Sequence, residues 1–226
     1  MPAEIEIKLR IQEPKRFLRA LAKLGAKPAS GRVHEMNLIF DTPDGGLAKH
    51  GQLLRIRTET PAPGKGKGAR SHTNRKGKAG ANRYLLTFKS PPDQMAIGAV
   101  AVPAPDRRHK VREELETVLL DAGMVTRIFE GLGLRGWFRY EKYRTPYKLP
   151  AREKWAGGLV IDYDETPIGT FVELEGPPAA IDEAARRLGY GTRDFITKNY
   201  LVLYLEDCKR RGVTPAHMVF PDGKSQ

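Results

Sequence analysis

The chain has 226 residues, the length of one medium-sized domain, and 40% hydrophobic and 29% charged residues, a composition typical of globular proteins. Its 39 basic and 27 acidic residues give a net charge of +12, which favours an anionic partner. The sequence shows no run of about 18 apolar residues and no apolar leader, so it predicts no membrane span and a cytoplasmic location. The single cysteine, Cys208, excludes an internal disulfide framework and a multi-cysteine zinc site.

The predicted elements are strands with one charged face and helices with one apolar stripe. In the first strand, Glu4–Ile11, charged residues alternate strictly with isoleucine and leucine. The helix Pro14–Leu24 follows, with proline in its first turn and glycine after its end. Further strands are predicted over Met36–Phe40, Leu53–Thr58, Tyr84–Lys89, Lys110–Val118, Trp137–Tyr147, Leu159–Asp164 and Gly169–Glu175. Further helices are predicted from about Asp121 to Leu132, over Pro178–Leu188 and over Arg193–Arg211.

No linker interrupts these elements. The sequence therefore predicts one domain over residues 1–212 and a C-terminal tail over residues 213–226. Asp41–Gly46 is a strong turn signal, and Ala96–Pro105 is predicted to be a loop.

A basic segment over residues 61–83 interrupts the strand pattern. It contains seven lysines and arginines and no acidic residue, and without them the net charge falls from +12 to +5. Its glycine, alanine, asparagine and serine content predicts a flexible loop between two strands. We interpret it as a solvated loop, with a trap for an anionic substrate or RNA as the alternative. The absence of aromatic residues between Pro61 and Asn82 leaves no platform for base stacking.

The charged faces of the separate strands share one unusual property, which is that they carry almost only ions. The cations are Lys8, Arg55, Arg57, Lys89, Arg112, Lys142 and Arg144. The carboxylates are Glu4, Glu6, Glu114, Glu116, Asp162, Glu173 and Glu175. An ordinary sandwich would expose such faces to water, but like charges at alternate positions repel each other. We therefore expect a closed barrel with a charged interior, its apolar outside covered by helices.

A cation-lined lumen suits a polyanion, and the neighbouring carboxylates indicate a divalent metal. Mg²⁺ or Mn²⁺ takes hard oxygen ligands and bridges carboxylates to phosphate oxygens. Phosphoryl transfer requires cations that hold the phosphate oxygens and carboxylates that hold a metal ion.

The motif Glu4-Ile5-Glu6-Ile7-Lys8 matches the E-x-E-x-K signature of the CYTH family, also called triphosphate tunnel metalloenzymes. Further blocks that resemble this family follow in order: Phe40–Pro43, Leu54–Arg57, Leu86–Lys89, Arg112–Glu116, Lys142–Arg144, Gly169–Glu175 and Lys198–Leu201. The resemblance spans about Ala3 to Leu205. It implies an α+β fold built on an eight-stranded antiparallel barrel that forms a triphosphate tunnel with helices on the outside. It also implies metal-dependent chemistry on triphosphates, namely hydrolysis of inorganic, thiamine, nucleoside or RNA triphosphates, or cyclisation by class IV adenylyl cyclases.

By matching position, the resemblance assigns the seven cations above to the triphosphate. It assigns six carboxylates to one or two metals, and Glu116 joins them by strand parity. Two positions depart from the family pattern. Ile39 stands where a tyrosine is frequent, and only three residues precede Glu4, which leaves no room for the His-Phe pair of class IV cyclases.

The sequence therefore predicts a metal-dependent hydrolase of triphosphate compounds, foremost of inorganic triphosphate. Lys8 or Lys89 would serve as the catalytic group if neighbouring cations lowered its pKa. The alternatives are a class IV-type adenylyl cyclase and a non-catalytic module that binds polyphosphate or RNA. No membrane partner is expected, nucleic acid would bind only through the basic loop, and the sequence leaves the oligomeric state open.

Overall fold

Strands make up most of the described chain, which in this computed structural model comprises residues 3–63, 81–91 and 108–221. The strands are β1 (Ala3–Ile11), β2 (Lys27–Pro28), β3 (Val33–Asp41), β4 (Leu53–Pro61), β5 (Arg83–Ser90), β6 (Lys110–Leu119), β7 (Arg135–Lys148), β8 (Val160–Thr166) and β9 (Gly169–Glu175). The helices are α1 (Pro14–Lys23), α2 (Gly46–Lys49), α3 (Ala122–Gly131), α4 (Pro178–Arg187) and α5 (Tyr200–Arg211). Short 3₁₀ turns occupy Lys154–Ala156 and Thr192–Asp194.

Eight of the strands close into an antiparallel barrel. They follow the order β7-β3-β4-β5-β6-β1-β9-β8, and β8 pairs again with β7, while the two-residue strand β2 only extends the edge of β7. This architecture confirms the predicted eight-stranded antiparallel barrel. Because side chains alternate between the two faces of each strand, closure places one set of residues inside and the other outside.

The main apolar core lies outside the barrel, between its wall and two helices. The outward side chains of β1, β8 and β9 pack against α1 and α4, where Ile7, Leu174 and Ile181 are completely buried. Proline in the first turn starts both helices. The helices therefore cover the apolar outer face of these strands, as the alternating pattern predicts.

A second apolar cluster closes one end of the barrel with α5. Phe138, Phe171 and Cys208 belong to it, and Cys208 is a buried free thiol. Both flanks of α5 are tied to barrel strands by backbone hydrogen bonds. Ile196 exchanges two bonds of 2.9 Å with Lys8, and Met218 bonds to β7 at both its amide and its carbonyl. The part of the predicted tail around Met218 thus packs against the barrel, where Met218 is completely buried.

Several elements differ from the sequence-based prediction, and three of these differences lie close to residues discussed below. Helix α5 begins at Tyr200 rather than at Arg193, because the Asn199 side chain accepts a hydrogen bond from the Val202 amide and caps the helix there. Strand β3 begins at Val33 rather than at Met36. The predicted turn after β3 leads into the short helix α2, which was not predicted, and the Asp41 carboxylate accepts hydrogen bonds from the amides of Leu47 and Ala48 in it.

Two predicted loops fall largely beyond the described ranges. Strand β4 continues to Pro61 and β5 begins at Arg83, and residues 64–80 of the predicted basic loop lie outside the described residues. The predicted loop Ala96–Pro105 lies outside them entirely. Within the ranges that the structure describes, no helix has the length and apolarity needed to traverse a bilayer.

Candidate active site

The barrel encloses a charged cavity of about 410 Å³. Six strands and the N-terminal end of α5 contribute its walls. The cations that line it are Lys8, Arg55, Arg57, Lys89, Lys110, Lys142 and Arg144. The carboxylates that line it are Glu4, Glu6, Glu114, Glu116, Glu173 and Glu175. Each group belongs to the inward-facing positions of its strand, so the period-two pattern of the sequence builds this cavity.

All but two of the predicted site residues line the cavity. Arg112 instead lines a neighbouring compartment and donates a hydrogen bond of 2.6 Å to the Gly51 carbonyl. Asp162 is buried in the wall beside the cavity, with its carboxylate 2.6 Å from a guanidinium nitrogen of Arg144. The structure therefore brings the predicted charges together, except that these two side chains do not line the charged cavity.

The sequence analysis missed several polar residues of the cavity and its wall. Lys110 shares the inward parity of Arg112 and Glu114 on β6, which is a signal that could have identified it. Glu35 belongs to the part of β3 that was not predicted as strand. The other missed residues are Asn37, Thr87, Tyr140, Asp164, Asn199 and Tyr200.

Arg144 and Lys142 are held by a buried carboxylate, Asp164. Two guanidinium nitrogens of Arg144 donate to the two Asp164 oxygens at 2.7 Å each, and the Lys142 ammonium donates at 2.8 Å. The Tyr200 hydroxyl donates to the same carboxylate at 2.7 Å, so α5 contributes to this network. Such a forked arrangement fixes the guanidinium plane, and the third nitrogen, Nη1, is itself 2.6 Å from Asp162.

Lys8 lies between two carboxylates. Its ammonium is 3.2 Å from Glu6 and 3.2 Å from Glu173. Burial alone would lower the pKa of Lys8, but Glu173 and Glu6 outweigh burial and raise the pKa above its ordinary value.

Lys89 has a similar environment. Its ammonium is 2.6 Å from both oxygens of Glu4 and 3.0 Å from Glu114. Burial again favours the neutral amine, yet the negative charge of Glu4 raises the pKa of Lys89. Lys8 and Lys89 thus stay protonated in this arrangement, and the lowered pKa that a basic role requires is not found at either residue.

The carboxylates divide into paired and repelled groups. The pKa of Glu6 falls to about 2, because the charges of Lys8 and Lys110 outweigh the effect of burial. The pKa of Glu175 rises to about 7, owing first to burial and then to the charge of Glu4. Glu4 also has a raised pKa, with burial as the main cause and Glu6 and Glu114 adding to it. The carboxylates at this end of β1 and β9 therefore lack enough positive charge around them.

Backbone geometry holds Glu175 against this cluster. The next residue, Gly176, has φ of +143°, and its amide donates to the Ile5 carbonyl at 3.0 Å. A Cβ at this position would lie 2.6 Å from the Gly158 carbonyl oxygen, so only glycine allows the close approach of the two chain segments.

The charge balance of the cavity bears on whether the site suits a divalent cation. Seven cations face six carboxylates across the cavity, and Glu35, Asp162 and Asp164 lie in the wall directly behind them. The protein's own acids already neutralise its cations, so a triphosphate would enter without net attraction unless further positive charge came with it.

The donor chemistry of Glu4, Glu114 and Glu175 fits such a cation. Their oxygens are the hard ligands that Mg²⁺ and Mn²⁺ prefer, and the raised pKa values of Glu4 and Glu175 show that added positive charge would be favourable there. As the side chains stand, no three metal-binding groups among the described residues converge on one point, since Lys89 occupies the space between Glu4 and Glu114.

A hydroxyl chain borders the cavity on β4, β5 and β7. Arg55 donates to the Tyr140 hydroxyl at 2.9 Å and to the Thr87 hydroxyl at 3.1 Å. Thr87 in turn donates to Glu116 at 2.9 Å. Ile39, which stands where the resembled family often has tyrosine, is buried in the apolar cluster beside Tyr140.

A second, smaller cavity of about 220 Å³ adjoins the charged one. The two cavities share lining residues, including Lys89, Tyr140 and Asn199. The smaller one adds apolar and aromatic walls from Phe40 and Trp137. A charged compartment thus connects with one that can accommodate an apolar or aromatic group.

Comparison with known proteins agrees with this architecture. A protein of Methanocaldococcus jannaschii, named as a candidate adenylate cyclase, is 25% identical over 210 residues, which cover 88% of this chain and 97% of that protein. The solved structure of the PH1819 protein of Pyrococcus horikoshii is similar with a TM-score of 0.65 and 21% identity, over 90% of this chain and 98% of that one. A Vibrio parahaemolyticus structure, also named as a candidate adenylate cyclase, is similar with a TM-score of 0.61 and 17% identity, over 88% and 96% of the two chains. The family model of the CYTH domain matches residues 2–200, nearly the whole length, and the chain therefore belongs to the CYTH family.

Proposed function

We propose that the protein is a divalent-metal-dependent hydrolase of triphosphate compounds, with inorganic triphosphate as its foremost substrate. The observation that carries this proposal is the barrel cavity in which cations from separate strands face carboxylates from the same strands. Fixed cations stabilise the charge that spreads over the phosphate oxygens during phosphoryl transfer, and they do so most strongly where water is limited.

The described contacts suggest a role for each part of the cavity. Lys8, Arg57, Lys142 and Arg144 would hold the phosphate oxygens, because buried carboxylates fix their positions from behind. Glu4, Glu114 and Glu175 would hold Mg²⁺ or Mn²⁺, which when bound supplies Lewis-acid polarisation of the phosphate oxygens. Lys89 would then exchange its carboxylate partners for a phosphate oxygen. Water attacks the terminal phosphorus and the bridging P–O bond breaks, so that the terminal group becomes orthophosphate and the cations stabilise the departing diphosphate, with the proton of the water released to solvent.

Phosphate release from tripolyphosphate in the presence of Mg²⁺ or Mn²⁺ tests this proposal. We expect Glu4→Gln, Glu173→Gln and Lys8→Met each to lower kcat/KM by roughly 10²-fold, as removal of a preorganised charge does in other enzymes. Glu183→Gln, on the exposed face of α4, is the matched control and should retain wild-type activity. Thermal unfolding of each variant separates lost chemistry from lost folding. Unchanged rates in all three folded cavity variants would contradict the assignment of the site.

An adenylyl cyclase activity is the second candidate. Two observations favour it, namely the cyclase names of related proteins and the smaller cavity beside the charged one, whose Trp137 and Phe40 offer a wall for a nucleobase. Product analysis distinguishes the two reactions when ATP and tripolyphosphate are supplied in parallel. Phosphate from tripolyphosphate with little change in ATP supports hydrolysis, whereas cyclic AMP and pyrophosphate from ATP would overturn the first candidate in favour of the second.

A further inference from the structure

Tyr140 combines burial, access to the cavity and an unused hydrogen-bond donor. Its side chain is only 6% exposed, yet it borders both cavities. Its hydroxyl oxygen accepts the hydrogen bond from Arg55, so the hydroxyl proton must point elsewhere. Among the residues that the structure describes, no acceptor receives that proton.

The other hydroxyl groups around the cavity differ from Tyr140 in this respect. The Tyr200 proton goes to Asp164, and the Thr87 proton goes to Glu116. Each of these two hydroxyls is therefore committed to a carboxylate of the protein. A buried donor without an acceptor costs free energy, and a ligand that supplies the acceptor recovers it.

The charges around the phenol strengthen it as a donor. Burial alone would raise the pKa of Tyr140, but the charges of Arg55, Arg57 and Lys142 outweigh burial and lower the pKa from its ordinary value of 10. A more acidic phenol forms a stronger hydrogen bond to an anionic oxygen. The same cations attract an anion to this part of the cavity, and the Arg55 Nε–H is also buried without an acceptor.

We propose that Tyr140 is a substrate-binding residue whose hydroxyl donates a hydrogen bond to a phosphate oxygen that lies beside Arg55. This inference rests on the proposed function, since it names a further contact to the same triphosphate. In this arrangement the hydroxyl accepts from Arg55 and donates to the substrate, so it orients both. The hydroxyl is an uncharged donor. It can therefore bind an oxyanion without a further carboxylate to neutralise it, as an added lysine or arginine would require.

Tyr140→Phe isolates the hydroxyl. The ring packs against Phe138 and Tyr200 with centroids 6.0 and 6.2 Å away, and phenylalanine preserves these contacts. Tyr143→Phe is the matched control, because Tyr143 lies on the outer face of the same strand against Arg32 and Phe220. Two measurements are made on the full chain: steady-state hydrolysis of tripolyphosphate with Mg²⁺ or Mn²⁺, and calorimetric binding of tripolyphosphate with Ca²⁺, an oxygen-binding cation that supplies the positive charge the cavity lacks.

We expect Tyr140→Phe to lower kcat/KM and weaken tripolyphosphate binding by about 10-fold or more, the usual size of a hydrogen bond to a charged group. The melting temperature should change little, and Tyr143→Phe should leave all three quantities unchanged. In the Arg55→Gln background the same Tyr140→Phe change should have a much smaller effect on binding, because the two groups lie beside the same phosphate oxygen.

Each outcome separates this inference from the proposed function. If the wild type hydrolyses tripolyphosphate and Tyr140→Phe changes neither the affinity nor kcat/KM, the role of Tyr140 is overturned and the proposed function stands. A lower melting temperature with unaltered affinity would assign Tyr140 to packing and also overturn it. A wild-type protein that binds tripolyphosphate without hydrolysing it would refute the proposed hydrolase, while the binding comparison still decides the role of Tyr140. Neither binding nor hydrolysis in the wild type would overturn both.

Discussion

Glu175→Gln tests the charge imbalance that the structure shows at one end of the cavity. Burial and the neighbouring carboxylates, Glu4 first among them, raise the pKa of Glu175 from its ordinary value of 4.5 to about 7. The folded chain therefore holds this proton more tightly than the unfolded chain does. Stability is accordingly greatest below about pH 4.5 and falls as the pH rises towards 7, because the folded state must give up a proton that it favours. Glutamine cannot ionise, so the variant escapes this loss.

The pKa shift sets the expected magnitude. A displacement from 4.5 to about 7 corresponds to about 3 kcal/mol if the full effect is realised. Glu175 is partly exposed, and solvent screening reduces the effect to about 1–2 kcal/mol. For a chain of this size, we expect the melting temperature of the variant relative to wild type to increase by about 2–8 °C between pH 4.5 and pH 8.

The assay is thermal unfolding at both pH values without metal and at pH 8 with Mg²⁺ or Mn²⁺. If Glu175 is a metal ligand, the cation should stabilise the wild type more than the variant. Glu130→Gln, on the exposed surface of α3, is the control and should show no pH-dependent difference. An equal melting-temperature difference at pH 4.5 and pH 8 would refute the argument from carboxylate repulsion. Equal stabilisation of both proteins by the cation would refute the role of Glu175 in metal binding.

Three further changes test the parts that hold the cavity together, each by urea unfolding monitored with circular dichroism. Asp164→Asn removes the counter-charge of Arg144 and should lower the free energy of unfolding by about 3–5 kcal/mol; a loss below about 1 kcal/mol would contradict the buried pairing. Asn199→Ala removes the cap of α5 and should cost about 1 kcal/mol. Met218→Ala should lower the free energy of unfolding by about 2–5 kcal/mol because the Met218 side chain is completely buried. An unchanged free energy of unfolding would contradict the packing of this segment against the barrel.

Much of the fold follows from the amino-acid sequence alone. The alternation in segments such as Glu4–Ile11 depends on the geometry of a single strand, in which neighbouring side chains point to opposite faces. Charged inner faces and apolar outer faces could therefore be predicted strand by strand, and so could the closed barrel that reconciles them. The helices that begin at Pro14 and Pro178 were predicted for the same local reason, since proline and the apolar stripe mark them.

The boundaries that the sequence missed have local causes that the hydrophobic pattern does not show. The Asn199 side chain caps α5 and sets its start at Tyr200. The sequence predicted an earlier start because apolar residues precede Asn199. Glu35 was missed because it precedes the hydrophobic part of β3 that marked the strand.

Only the tertiary structure decided how the charges pair. The sequence placed Arg112 with the other cations by parity, but its guanidinium bonds to the Gly51 carbonyl, a contact between segments 61 residues apart. Likewise, the pattern could not show that Lys8 and Lys89 keep carboxylate partners, which raise the pKa of both lysines. The pattern of one strand determines which side chains face inward, whereas strand order, register and the insertion of α5 determine their neighbours. Coulombic energies depend on those distances, so the roles of the charges become definite only in the folded chain.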